Sequence, residues 1–193
     1  IISIGMSNIK EIKKCLKYFT GNKNVAILFC NSLYPAKNNE MNLITIKDLS
    51  RRFKNKIIGF SDHTLGIEAS LLAATYGAKI IEKHFSLKNV KGLDYDFSIH
   101  EKQMGNMVQS IRNIIDMNGK KFYGPSPFEK VNLKYRRSLY AIRDINKNEL
   151  LNPQNVDLLR PFNKFGLNDM KKVIYKKAKK NISRGSVIKK NYY

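Results

Sequence analysis

The chain has 193 residues and a hydrophobic fraction of 42%, enough for one large domain or for a medium domain joined to a small one. No apolar run approaches the ~20 residues of a membrane span, and the opening IISIGMSNIKEI has neither a basic stretch nor a small-residue cleavage site, so no membrane partner and no secretory leader are expected. The net charge of +21 comes mostly from lysines spread along the whole chain and is accompanied by no nucleic-acid-binding motif, which argues against a specific nucleic-acid partner.

In chain order, IISIG reads as a short strand, followed by the helix NIKEIKKCLKYF with Ser7 as its cap. VAILFC is the next strand and NLITIKDLSRRF the next helix. IIGFS is followed by the helix IEASLLAATYG, closed by Gly77 just past its end. KIIEKHF then leads through a loop to the helix EKQMGNMVQSIRNIIDM. Cys15 and Cys30 fall in a helix-like and a strand-like setting and read as reduced thiols of a cytoplasmic protein.

Four successive strand–helix units with near-continuous apolar strands predict an α/β fold whose parallel sheet is covered on both faces. An open doubly wound sheet and a (β/α)8 barrel both fit. Polar residues collect directly after the strands, Ser32 and Tyr34, then Ser61 to His63, then Glu82 and His84, which is where a barrel builds its site. Four units are half a barrel, and residues 1–119 read as the second half of one. Residues 120–135 lack periodicity and read as a linker. Residues 136–193 read as a small β-rich domain with a weak internal repeat, RDINKNELL resembling KNISRGSVI.

His63 and His84 are one strand–helix unit apart, so they belong on adjacent strands, ~5 Å from each other. Spacing alone leaves two readings open, a shared metal ion or two hydrogen-bonded residues at strand ends. Asp62, Glu82 and Asp94 nearby would favour a hard ion such as Mn2+. The third histidine, His100, opens a helix and reads as a surface residue.

The words around the histidines carry a resemblance. SDHTLG at Ser61–Gly66 and GAKIIEKHFSL at Gly77–Leu87, with SIGM, CNSLYPA, MNLITI, RRSL and the RP of Arg160–Pro161, closely resemble the sialic acid (nonulosonic acid) synthase family, in the family's order along essentially the whole chain. The resemblance implies a (β/α)8 barrel followed by a small antifreeze-like (SAF) domain. It also implies an enzyme, cytoplasmic, that condenses phosphoenolpyruvate with an N-acetylated amino sugar and releases phosphate. His63 and His84 then become ligands of a divalent metal, Mn2+ first, with Mg2+ or Co2+ as alternatives. Glu82 and Asp94 become the catalytic carboxylates that position the sugar or handle water protons. Ser32, Tyr34, Ser61 and Asp62 become substrate-binding residues around the metal. Arg160 matches an arginine that reaches the partner subunit's site, which implies a domain-swapped homodimer.

Departures qualify the match. The loop after Arg160 reads RPFNKFGL, with Phe162 at a usual glycine, and Tyr95 follows Asp94 where many members carry histidine. The family residues that hold the phosphate of phosphoenolpyruvate lie on strands with no match here, so the chain is not expected to complete the reaction alone. CNSLYPA, the DFS after Asp94, YGP and RRSLY look most like pseudaminic acid synthases among the family's members, with N-acetylneuraminate or legionaminate synthases as the alternative. A non-catalytic remnant that binds a glycan or a protein partner is the other reading.

Overall fold

Four short runs of isoleucine, leucine and phenylalanine form a parallel sheet of strands β1 (Ile2–Ser3), β2 (Ala26–Cys30), β3 (Ile57–Asp62) and β4 (Ile81–Lys83), ordered β1-β2-β3-β4. The structure is a computed structural model and describes residues 1–19, 21 and 24–193. Between the strands run helices α1 (Ile9–Leu16), α2 (Thr45–Arg52) and α3 (Glu68–Thr75), and α4 (Glu101–Asn118) follows β4. A doubly wound sheet reverses its strand order at a switch point. The unbroken order here is that of a barrel wall, and the fold is a barrel-like α/β region followed by a small β-rich unit.

Alternation along the strands decides which side chain goes where. Ile27, Ile58 and Phe60, with Ile4, Phe29 and Ile81, pack against Ile46 and Leu49 of α2 and Ala69 and Ala73 of α3. The residues between them, Leu28 and Cys30, Gly59 and Ser61, and Glu82, point to the other face. There the register pairs Leu28 with Gly59, and Ser61 with both Cys30 and Glu82. Gly59 is needed because a Cβ at this position would stand 2.7 Å from the Ile80 carbonyl oxygen and overlap the Leu28 side chain.

The helix ends refine the reading from sequence. α1 is capped by Asn8, not Ser7. The Asn8 carboxamide accepts from the N–H groups of Lys10 and Glu11 at 2.9 and 3.1 Å, and Glu11 bonds back to the Asn8 N–H at 2.8 Å. This reciprocal box needs the acid three residues after the cap, a spacing that Asn8 has and Ser7 lacks. α3 ends as expected, with Gly77 at φ +99° beyond the Tyr76 cap. His100 is the cap of α4 and is half-buried, its Nδ1 lying 3.1 Å from the Ser86 hydroxyl and 3.2 Å from the Ser86 carbonyl oxygen. It is therefore a loop anchor and not a plain surface residue.

Ile1–Lys120 and Lys121–Tyr193 are separate compact units. Within the stretch read as linker, Glu129–Tyr135 winds into a 3-10 helix. The second unit holds the antiparallel pair β5 (Ser138–Ala141) and β6 (Val156–Leu159), and the short helix α5 (Met170–Val173), around a core that includes Leu139, Ile145, Leu151, Val173, Ile182 and Ile188. The two copies of the weak repeat face one another. Ile145 and Ile182 exchange backbone hydrogen bonds at 2.9 and 2.8 Å. The Arg184 N–H donates to the Asp144 carboxylate at 2.7 Å, and the Lys147 N–H to the Asn181 carboxamide at 2.8 Å. The turn residues Asn148 and Gly185 share a left-handed backbone, at φ 71° and 81°.

Gly59→Ala is expected to destabilise the protein by about 1–3 kcal/mol through overpacking. Urea unfolding measures this, and a change below about 0.5 kcal/mol would show that the sheet opens to admit the methyl group.

Candidate active site

The face of the sheet turned away from the helices carries an open pocket of about 310 Å3. Ser32, Tyr34, Ser61, His63, Glu82 and His84 line it together with Ser3, Gly5 and Cys30. The lining rises in layers set by the register. Cys30, Ser61 and Glu82 lie side by side, and one step further along the strands Ser32, His63 and His84 form the rim. Gly5 makes room for this wall, since a Cβ there would overlap the Ser32 hydroxyl and press within 3.0 Å of the Cys30 sulfur. Burial pushes the Cys30 thiol above its usual range, and the charge of Glu82 adds to the effect, so Cys30 enters this site as a neutral thiol.

His63 is the first residue beyond β3 and His84 the first beyond β4, with ring centroids 5.4 Å apart. The Tyr34 ring stacks on His63 with centroids 4.1 Å apart and meets His84 edge-on at 5.5 Å. Phe97 meets His84 edge-on at 5.0 Å and Tyr34 at 5.4 Å, which completes the aromatic cluster. The imidazoles therefore have an aromatic enclosure on one side and a polar pocket on the other.

Hydrogen bonds fix which ring nitrogen is available. His63 Nδ1 lies 2.6 Å from the Asn31 carbonyl oxygen, which can only accept, so Nδ1 carries the proton and Nε2 of the neutral ring keeps its lone pair. The Ser61 hydroxyl lies 3.3 Å from that Nε2 and 2.6 Å from Glu82 Oε1. It has one proton, and the shorter contact to a carboxylate takes it. His63 Nε2 thus has no committed donor. His84 Nδ1 lies 3.2 Å from Asp94 Oδ2, an ion-pair contact without hydrogen-bond alignment, and the carboxylate favours a proton on that nitrogen. Two imidazoles held through Nδ1, one by a backbone carbonyl and one by a carboxylate, have the support typical of metal-ligating histidines. Among the described residues, no three His, Cys, Asp or Glu side chains converge to form a metal centre by themselves.

Not every residue expected from the sequence lies in this pocket. Asp62 does not line it. Its side chain is fully buried on the helix-covered side, ion-paired with Lys83 at 3.0 Å, because alternation turns it away from His63. Asp94 meets the site through His84, with 59% of its side chain exposed. Arg160 belongs to the second unit, where its Nε donates to the Tyr135 carbonyl at 2.6 Å. The sequence reading missed Cys30 and Gly5 as pocket wall, and period-two counting from Ser32 and along β1 could have found them. It also missed the Asn31 carbonyl, a backbone atom that no residue type announces.

A model of the NeuB family matches residues 1–123, and one of the SAF domain matches residues 136–191. The chain belongs to the NeuB family. It is 35% identical over 195 aligned positions to the N,N'-diacetyllegionaminic acid synthase of Campylobacter jejuni, covering 98% of this chain and 58% of that protein. It is 36% identical over 197 positions to a pseudaminic acid synthase of the same species, covering 98% and 56%. Among solved structures, the N-acetylneuraminic acid (sialic acid) synthetase of Leptospira borgpetersenii serovar Hardjo-bovis in complex with citrate superimposes with a TM-score of 0.61 at 32% identity, over 69% of this chain and 47% of that one. The chain thus spans somewhat more than half the length of the two NeuB relatives from Campylobacter. Among the described residues no helix is long and apolar enough to cross a membrane.

Long-range proton–nitrogen NMR is expected to show His63 and His84 both as the Nδ1–H tautomer in the metal-free protein. An Nε2–H signal from either ring would contradict the donor assignment.

Proposed function

We propose that the chain carries the sugar-facing and metal-holding part of a phosphoenolpyruvate-dependent nonulosonic acid synthase, joining phosphoenolpyruvate to an N-acetylated amino sugar with release of phosphate. The observation that carries this reading is the pair His63 and His84, both held through Nδ1, above the Ser61–Glu82 bond in one pocket. Support also comes from the family membership and from the named activities of the Campylobacter relatives. Side chains for the phosphate of phosphoenolpyruvate have no match in this sequence, and the proposal assigns them to residues outside it.

In this reading His63 and His84 would hold a divalent ion through Nε2, with Mn2+ the first choice and Mg2+ or Co2+ as alternatives. Bound there, such an ion supplies Lewis acidity toward a sugar carbonyl. Glu82 holds the Ser61 proton with one oxygen and turns the rest of its carboxylate to sugar hydroxyls. Tyr34 gives the sugar an apolar wall and Ser32 a hydroxyl at the rim. Asp94 acts through His84 by setting its tautomer, and is a positioning residue here. Arg160, its stem anchored on Tyr135, serves the partner subunit's pocket in a domain-swapped homodimer. For the sugar we take the pseudaminic-type substrate, a 2,4-diacetamido-trideoxy-hexose, on the wording CNSLYPA, DFS and RRSLY. A pocket for a deoxy sugar needs fewer hydrogen bonds where the hydroxyl is missing.

In a complete synthase that also carries the phosphate-holding residues, and with that sugar, His63→Ala and His84→Ala are expected each to lower metal-dependent phosphate release by more than about 100-fold while the circular dichroism spectrum stays that of the parent protein. Retained activity with an emptied metal site would sink the assignment. Arg160→Ala is expected to raise the KM for the sugar by about tenfold or more and to leave that for phosphoenolpyruvate within about twofold. Equal losses for both substrates would make Arg160 a structural residue.

A further inference from the structure

The last rung of the β3–β4 ladder pairs Asp62 with Lys83, and the next residue on each strand is a histidine of the pocket. Beyond this rung the ladder gives His63 and His84 no bond to one another. The side chains of the rung itself do something unusual. Asp62 and Lys83 form an ion pair at 3.0 Å with both side chains 0% exposed. Asp62 Oδ2 also accepts the Ser70 hydroxyl of α3 at 2.6 Å. Its Oδ1 accepts the Thr64 N–H at 2.8 Å and the Thr64 hydroxyl at 2.7 Å. Lys83 completes the circuit by donating to the Thr64 carbonyl at 2.7 Å. Lys83 therefore grips the residue before His63 and the residue after it.

This network lies on the helix-covered side of the sheet, so it touches nothing that enters the pocket. Nor is stability a sufficient reason for it, because a buried ion pair gains little over apolar residues of the same volume. What it does supply is geometry, as one ammonium ties the backbone on both sides of His63 to the residue just ahead of His84. We propose that Asp62, Lys83 and Thr64 are positioning residues that set the separation and orientation of the two imidazoles for one shared metal ion. The proposal rests on the reading of His63 and His84 as metal ligands.

The test is the charge-free pair Asp62→Asn with Lys83→Met in the intact protein, probed with Mn2+ alone. The carboxamide introduced by Asp62→Asn keeps an acceptor for Thr64, and neither replacement leaves an isolated buried charge. Electron paramagnetic resonance is expected to show Mn2+ bound about tenfold or more weakly with an altered line shape, while melting of the metal-free protein moves little and the activity of a complete synthase carrying the pair returns at saturating Mn2+. A role confined to stability would shift the melting and leave the Mn2+ affinity, measured well below it, unchanged. Unchanged affinity in the pair variant, with His63→Ala and His84→Ala both losing Mn2+, overturns the positioning role and leaves the histidine reading standing. Parent-like Mn2+ binding in either histidine variant overturns the reading beneath it. Should the pair variant fail to fold, Ser70→Ala carries the test, since it removes one bond to Asp62 outside the pocket. A roughly threefold weaker Mn2+ affinity supports the proposal, and no change overturns it.

Discussion

Everything in the first unit depends on the rule that a strand sends successive side chains to opposite faces. On β3 it drives Ile58 and Phe60 into the helices and leaves Gly59 and Ser61 on the opposite face, with Ser61 in the pocket wall. The rule does not stop where the regular ladder does. Asp62 still turns back toward α3 and His63 still turns forward, so two adjacent polar residues take opposite jobs. On β4 the same holds for Lys83 and His84. The chemistry faces one way and its support faces the other, with a single peptide bond between them.

Within the pocket the scarce resource is a proton. The Ser61 hydroxyl has one to give and two acceptors within reach, Glu82 and His63. While Glu82 takes it, the histidine keeps a lone pair for another ligand. In the function proposed above, Glu82 as the sugar's partner and His63 as the ion's partner therefore meet at one hydroxyl, that of Ser61. The aromatic rings of Tyr34 and Phe97 pack against the imidazoles beside it.

Much of this was legible in the sequence because it rests on periodicity. The alternation of strand and helix, the polar residues at strand ends and the pairing of His63 with His84 all follow from counting. The misreadings have physical causes. Ser7 and Asn8 are equally good caps as residue types, and only the reciprocal bond with Glu11 chooses between them. The resemblance places Asp62 among the residues around the metal, next to His63 in sequence, whereas the sheet sorts residues by parity and not by proximity. Lys83 reads as an ordinary lysine of a basic chain until its burial is seen. The repeat in the second unit was visible as a faint echo of letters, and only the fold shows that the two copies bond to each other.

That last feature bears on how the second unit comes apart. The Asp144 side chain secures the turn around Arg184, and the Asn181 side chain secures the turn around Lys147. Each turn also closes within its own copy, the Glu149 N–H donating to the Asn146 carbonyl at 3.0 Å and the Ser186 N–H to the Ser183 carbonyl at 3.1 Å. The bond from the other copy is a further anchor. Such reciprocal lashing joins the two halves into one cooperative element. A loop excised from either copy would take with it one anchor of the turn left behind.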